Sequence, residues 1–231
     1  MTRPTAILVD IEGTTSAIAF VKDTLFPFAE AALDNFLADH AKDPAVAALV
    51  DDVRALAPGQ DPAAALRGWM AADAKVTPLK TLQGMIWEAG FKDGRLQGHL
   101  WPDVAACLRA WSSAGLRLYV YSSGSTRAQK LLFGHSVAGD LAGLFGGFFD
   151  TAVGPKRDPA SYRSIAAGLN LPAQEVLFLS DIAEECDAAR TAGLQTCRLV
   201  RPGDGTLPGS THPEAVDFPA VAAAFGLPRP G

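Results

Sequence analysis

Cysteine is scarce: Cys107, Cys186 and Cys197 stand far apart in 231 residues, with no C-x-x-C pair among them. An odd, unclustered set builds neither a disulfide framework nor a zinc site. It fits reduced cytoplasmic thiols that serve as small core side chains. Long apolar runs are missing as well, and none approaches the roughly 18 residues that a membrane-spanning helix needs. The first run, Ala6 to Val9, is stopped by Asp10 before it reaches the roughly 7 residues of a signal-peptide core. Neither a membrane association nor a secretory leader is therefore expected. Positive charge is in deficit, with 20 Lys and Arg against 25 Asp and Glu for a net charge of -5. No basic cluster interleaved with aromatics offsets that balance, which excludes nucleic acid as a partner. Internal repeats and low-complexity tracts are also lacking, and a mixed surface without repeats argues for a monomer.

What is present is a globular composition, 48% hydrophobic and 19% charged, in a chain long enough for one α/β domain with a smaller insertion. Five apolar runs read as strands of a parallel sheet covered on both faces: TAILVD (5–10), LRLYVYS (116–122), the weaker GFFDTAV (147–153), EVLFLSD (175–181) and QTCRLV (195–200). Helical patterns lie between them. Pro102 and Gly115 bracket one such segment, and Asp158-Pro159 with Gly168 bracket another. Alternating strands and helices predict an α/β fold with a doubly wound parallel sheet. Residues 16–99 break the alternation and carry only helical periodicity, so they read as an inserted helical cap, leaving 1–15 and 100–231 as the core. Within the insertion, Leu25, Phe28, Ala32, Leu33 and Phe36 form one apolar stripe, and Val46, Leu49, Val53 and Leu56 a second. Asp61-Pro62 and Thr77-Pro78 read as caps followed by a helix-opening proline, the last helix carrying Leu79, Leu82 and Ile86. The tail after Arg201 reads as Pro/Gly-rich loop with one short closing element.

Three polar groups sit at carboxyl ends of predicted strands, where an open parallel sheet binds ligands. They are Asp10-x-Glu12, Ser122-Ser123-Gly124 and Ser180-Asp181. With the first, second and fourth strands adjacent, Asp10, Glu12 and Asp181 share a small volume, and three carboxylates there require a cation. Oxygen ligands without nearby His or Cys point to Mg²⁺. A metal, short hydroxyls and free backbone N–H groups suit a phosphoryl group. Lys156, in the loop after the third strand, adds a point charge. In such a site Asp10 can attack phosphorus while Glu12 handles the leaving-group proton.

The order DIEGTT, YSSGS, GPKRDPASY and FLSDIAEE resembles the four motifs of the haloacid dehalogenase superfamily. AFVKDTLFPF, LQGMIW, AQKLLFGHS and GDLAGLFGGFFDT, together with Glu12 where most phosphatases of the superfamily carry Asp, resemble its enolase-phosphatase branch. The resemblance implies a Rossmannoid core with a cap. It also implies a Mg²⁺-dependent, bifunctional enzyme that enolises the phosphorylated diketone 2,3-diketo-5-methylthiopentyl-1-phosphate and then removes its phosphate. By position it places Asp10, Glu12 and Asp181 around Mg²⁺, and Ser122, Ser123 and Lys156 on the substrate.

Each element alone has a plainer reading. Asp10 and Glu12 suit a strand-end turn, Ser-Ser-Gly-Ser suits a helix cap, and Lys156 suits a solvated loop with Arg157 as competitor. Asp181 also suits an N-cap, and Glu185, one turn on, suits a partner for Lys156 or for a metal-bound water. The four histidines are scattered and read as no metal site; the four tryptophans read as packing. The rival functions are a general phosphomonoesterase of the same superfamily and, outside enzymes, a receiver-type signalling module. The latter is disfavoured by the helical insertion and by Glu12.

Overall fold

Ala6–Val9 forms β1 at the centre of a six-stranded sheet. Its flanking strands are Arg117–Tyr121 (β2) and Val176–Ser180 (β4), both parallel to it, with Val9 level with Val120 on one side and Leu179 on the other. Beyond them lie Phe145–Phe149 (β3), Gln195–Leu199 (β5) and Glu214–Ala215 (β6), giving the order β3-β2-β1-β4-β5-β6, parallel throughout. This computed structural model describes residues 3–72, 74, 76–209 and 211–230; Met1, Thr2, Asp73, Lys75, Ser210 and Gly231 lie outside that description.

Every residue of β1 is buried, because helices cover both faces of the sheet. On one face Ala6, Leu8, Tyr119, Tyr121 and Phe178 pack with Tyr162 and Ile165 of Pro159–Gly168 and with Cys186, Ala188 and Ala189 of Ala183–Thr191. Side-chain alternation sends Ile7, Val9, Val120 and Leu177 to the opposite face. That side holds the buried stripes of Val104–Ser113 and Phe218–Phe225, whose Trp111 and Phe218 rings stack 5.2 Å apart. Each large apolar side chain so buried contributes roughly 1.5–3 kcal/mol. All three cysteines are buried free thiols.

The chain divides into two compact units, one running to Ile18 and resuming at Gln97, the other Ala19–Leu96. In the second, a π-helical turn Val21–Leu25 leads into the helix Phe26–Asp39, followed by Pro44–Leu56, Pro62–Ala71 and Thr77–Lys92. Their shared core comprises Leu33, Phe36, Val46, Val53, Leu66, Leu79, Leu82 and Ile86. Asp43 and Asp61 cap their helices by accepting the N–H groups of Ala45 and Ala64.

Several local expectations shift. Thr77 is the first helical residue rather than the cap; Val76 precedes it without a side-chain bond. Pro102 lies ahead of its helix, which starts at Val104 after Asp103. Leu56 ends its helix exposed, since the last turn has left the packed stripe. β3 runs from Phe145 rather than Gly147 and stops before Asp150, which instead turns its carboxylate to the N–H groups of Thr126 and Ala152. The tail holds β6 and the helix Phe218–Phe225; a two-residue strand has too little pattern to read. Among the described residues no helix is long and apolar enough to cross a membrane.

Candidate active site

β1 delivers Asp10, whose N–H still donates to Leu179 O at 2.9 Å, so this residue is in register with β4 as the chain leaves the sheet. A tight turn follows, in which the N–H groups of Thr14, Thr15 and Ser16 all donate to Ile11 O at 3.2, 3.0 and 2.9 Å. The Thr15 hydroxyl donates back to Asp10 O at 3.0 Å. Gly13 takes φ +73°, and a Cβ there would collide with the Asp181 carboxylate. Glycine thus meets two needs at once, left-handed backbone and close approach of two loops. Asp10 and Asp181 are each 5% exposed, whereas Glu12 is exposed on the same turn.

Lys156 ties this end of β1 to the helix after β4. Its Nζ lies 2.6 Å from Asp10 Oδ1 and 2.7 Å from Glu185 Oε2, with the lysine 9% exposed. Its backbone is fixed by Tyr162, whose hydroxyl donates to Lys156 O at 2.7 Å, and two residues earlier the Tyr121 hydroxyl donates to Gly154 O at 2.9 Å. Ser180 in turn donates its hydroxyl to Glu185 Oε2 at 2.9 Å. Burial alone would lower the lysine's pKa, but the Asp10 and Glu185 carboxylates outweigh it and raise the value above the ordinary 10.5. For Glu185 burial, then Asp10, push the carboxyl upward against the pull of Lys156.

Asp181 is placed differently. Burial, seconded by the Asp10 charge, pushes its carboxyl from 3.8 up to about 7. Its Oδ1 is buried with no hydrogen-bond partner. A buried carboxylate oxygen without a donor is costly, and a proton or a cation relieves it. It does not cap the following helix; Ile182 holds that position and its N–H donates to Ser180 Oγ, the shorter side chain one residue earlier.

The second strand end bears Ser122, buried, whose N–H donates to Phe149 O at 3.2 Å and whose Oγ accepts from Gly124 N at 3.3 Å. Ser123 is exposed. Ser125 caps the helix Thr126–Gly134 by accepting from Ala128 N, and the buried Gln129 amide donates to Gly124 O at 2.7 Å and Phe149 O at 2.8 Å, which holds the loop in shape.

The expected residues Lys156, Ser122, Asp10 and Asp181 therefore gather beyond the carboxyl ends of four adjacent strands, β3, β2, β1 and β4 in that order, about 4.8 Å from one to the next. Glu12 and Ser123 stand on the same loops but exposed. Among the described residues no three acidic, His or Cys side chains form a ready-made cation cage; Asp10 Oδ1 accepts from the Lys156 ammonium and Glu12 is exposed. The partnerless Asp181 oxygen and an all-oxygen donor set fit a hard divalent cation.

Other residues shape the site without being legible beforehand. Tyr162 and Tyr121 act on backbone carbonyls, as does Arg201, which donates to Thr14 O. His99 accepts the Ala17 N–H on Nδ1 at 3.1 Å just past the turn. A hydroxyl or guanidinium aimed at a distant carbonyl leaves no spacing to read.

The model of the haloacid dehalogenase-like hydrolases matches residues 4–193. The chain is similar to the enolase-phosphatase E1 of Granulibacter bethesdensis, 57% identical over all of both chains. It is likewise similar to that of Gluconacetobacter diazotrophicus, 54% identical over 96% of this chain and 95% of the relative. Among solved structures, the UTR4 protein of Saccharomyces cerevisiae superposes with a TM-score of 0.81 at 32% identity, over 93% of this chain and 98% of that one. Motif order, sheet topology and full-length similarity agree: the chain belongs to the haloacid dehalogenase-like hydrolases and, within them, to the enolase-phosphatase E1 family.

Proposed function

We propose that the protein converts 2,3-diketo-5-methylthiopentyl-1-phosphate to the acireductone 1,2-dihydroxy-3-keto-5-methylthiopentene and phosphate, the enolase-phosphatase reaction of methionine salvage. The observation that carries this reading is the buried Asp10 carboxylate at the end of β1, held by Lys156 at 2.6 Å beside an Asp181 oxygen that lacks any partner.

Enolisation comes first: a proton leaves the carbon bearing the phosphate ester, and the neighbouring carbonyl oxygen gains one. Asp10 then attacks phosphorus. As its oxygen bonds to phosphorus, the bond from phosphorus to the ester oxygen breaks, and Glu12 gives that oxygen its proton. Water next attacks the aspartyl-phosphate, Glu12 takes its proton, and the Asp10–phosphorus bond breaks to free phosphate. Ser122, Ser123 and Lys156 hold the phosphate oxygens throughout. Asp10, Glu12 and Asp181 are the residues that would hold Mg²⁺, which when bound supplies positive charge against the phosphoryl oxygens. Lys156 meanwhile holds the Asp10 carboxylate in place through its Nζ, 2.6 Å from Oδ1.

In this reading the helical unit is the family's cap, the rest is the catalytic core, and the protein works as a cytoplasmic monomer on a small phosphorylated substrate. The buried free thiols support a reducing compartment. The test is turnover of the diketone phosphate under strictly anaerobic conditions with Mg²⁺. Enediol absorbance should rise with phosphate release, Asp10→Asn should abolish both, and p-nitrophenyl phosphate should be a poor substrate. Phosphate release with no enediol signal, and good turnover of p-nitrophenyl phosphate, would instead identify a general phosphomonoesterase.

A further inference from the structure

Two arginines on and just beyond β5 reach back to the loops that carry the acids, and both grip backbone rather than carboxylate. Arg201, 3% exposed, donates from Nε and Nη2 to Thr14 O at 3.1 and 2.8 Å. Thr14 lies in the turn that begins at Asp10 and carries Glu12. Arg198 donates from Nε to Asp181 O at 2.8 Å. The two gripped loops touch each other where Gly13 packs on the Asp181 carboxylate.

Both guanidinium groups are neutralised away from the site. Arg201 Nη1 forks onto Asp103 at 2.9 and 3.0 Å, and its plane sits between the Trp101 and Phe218 rings, 5.5 Å from each centroid. Asp103 is itself fixed by the Phe218 N–H at 2.9 Å. Arg198 Nη1 pairs with Glu214 at 3.1 Å and with Leu207 O at 3.0 Å. A cation whose charge is already matched by Asp103 or Glu214 can hold a loop without cancelling the charge of Asp10, Glu12 or Asp181. Two donors from one rigid fork onto one carbonyl, with a third forked onto a carboxylate, is geometry that lysine's single ammonium does not reproduce.

The geometry points to Arg201 and Arg198 as positioning residues that set the distance between the Asp10–Glu12 turn and Asp181. Arg201, just past the end of β5, fixes the first loop, and Arg198, on β5, the second. The inference rests on the reading of those three acids as the cation site. Outer supports of metal ligands typically change affinity by about 10–100-fold when lost, and these two act one step further out, through backbone.

The experiment compares Arg201→Lys and Arg198→Lys with the parent protein. Mg²⁺ binding to the substrate-free protein is measured by titration calorimetry, melting is followed in EDTA, and kcat and KM are measured on the diketone phosphate. Each variant should bind Mg²⁺ about 10-fold more weakly and lose about 10-fold in kcat. KM should stay within about twofold, because Ser122, Ser123 and Lys156 are untouched by either arginine. A merely structural role would lower the melting temperature and leave Mg²⁺ affinity and kcat of the folded fraction unchanged, and that result overturns the proposal. Should Arg201→Lys fail to fold, Arg198→Lys, at a position bordering solvent, decides by the same criteria. If the parent protein itself binds no Mg²⁺, the reading of the acids has failed and the positioning inference falls with it, a result distinct from weakened binding in the variants alone.

Discussion

At the scale of the residue, Lys156 is the group on which the charge balance of the site turns. Two carboxylates within 2.7 Å of one buried ammonium are tolerable only as a set. Lys156→Met leaves Asp10 and Glu185 facing each other without a cation. Removing one partner of a buried ion pair typically costs about 3–5 kcal/mol. Urea unfolding of metal-free protein at pH 7 should show that loss, and if Lys156 holds the substrate phosphate as proposed, turnover should fall by at least about 10²-fold. Glu12 supports a different prediction. Its extra methylene moves the carboxyl by roughly 1.5 Å relative to aspartate, which suits a group serving a carbon acid as well as an ester oxygen. Glu12→Asp should therefore lose enolisation more than ester hydrolysis, measured by enediol absorbance on the diketone phosphate against phosphate release from a simple alkyl phosphate. Equal losses would deny Glu12 any part in the first step. Both residues were legible in the sequence as candidates, because phosphoryl chemistry needs side chains of fixed type in the loops that follow the strands; the fold adds that Lys156 is buried between two carboxylates while Glu12 is exposed. Glu185 was legible as a candidate partner from its four-residue spacing to Asp181, while its choice of Lys156 is a fact of the fold.

At the scale of the element, the strands were easier to read than their ends. Runs such as TAILVD and EVLFLSD announce themselves because a strand covered on both faces is apolar throughout. β3 carries Gly146 and Gly147 packed beside the Tyr119 ring, so its pattern is faint and its start was placed late. β6 pairs only Glu214 and Ala215, and no periodicity exists in two residues. Caps divide in the same way. Asp61 before Pro62 works as read, but Thr77 enters the helix because Val76 already has extended backbone. Asp61→Ala should cost about 1 kcal/mol in the helical unit, seen as a lower urea midpoint with unchanged kcat. The turn after β1 is the opposite case, an element whose function is its shape. Gly13→Ala must adopt a left-handed backbone, at roughly 1–2 kcal/mol, and must also displace the Asp181 carboxylate. Stability and Mg²⁺ affinity should fall together, the second by more than the backbone strain alone predicts. Calorimetric titration of the variant checks this, and unchanged affinity would mean that Gly13 serves the turn and nothing else.

At the scale of the whole molecule, the acids gathered at the sheet's carboxyl edge make stability depend on pH and, under the proposed function, on a cation as well. Asp181, pushed from 3.8 up to about 7 by burial and by Asp10, keeps its proton on folding over a range where the unfolded chain has lost it. Its contribution to the metal-free fold is thus full below about pH 4 and is lost as pH rises toward 7. Linkage sets on the order of 4 kcal/mol as the upper bound for this one group. Glu185, shifted upward for the same reason, acts in the same direction. A divalent ion held there, as proposed above, would take the place of the proton, so that proton and ion would compete for one carboxylate. The stabilisation given by Mg²⁺ should then be small near pH 5 and grow steadily to pH 8. Melting temperatures measured with saturating Mg²⁺ and with EDTA, at each pH, provide the difference directly. Asp181→Asn, which carries no charge at any pH, should flatten the metal-free curve and remove most of the Mg²⁺ increment. A Mg²⁺ increment independent of pH in the parent protein would separate the ion from Asp181 altogether, because a ligand that displaces no proton has no reason to follow the titration of the group that holds one.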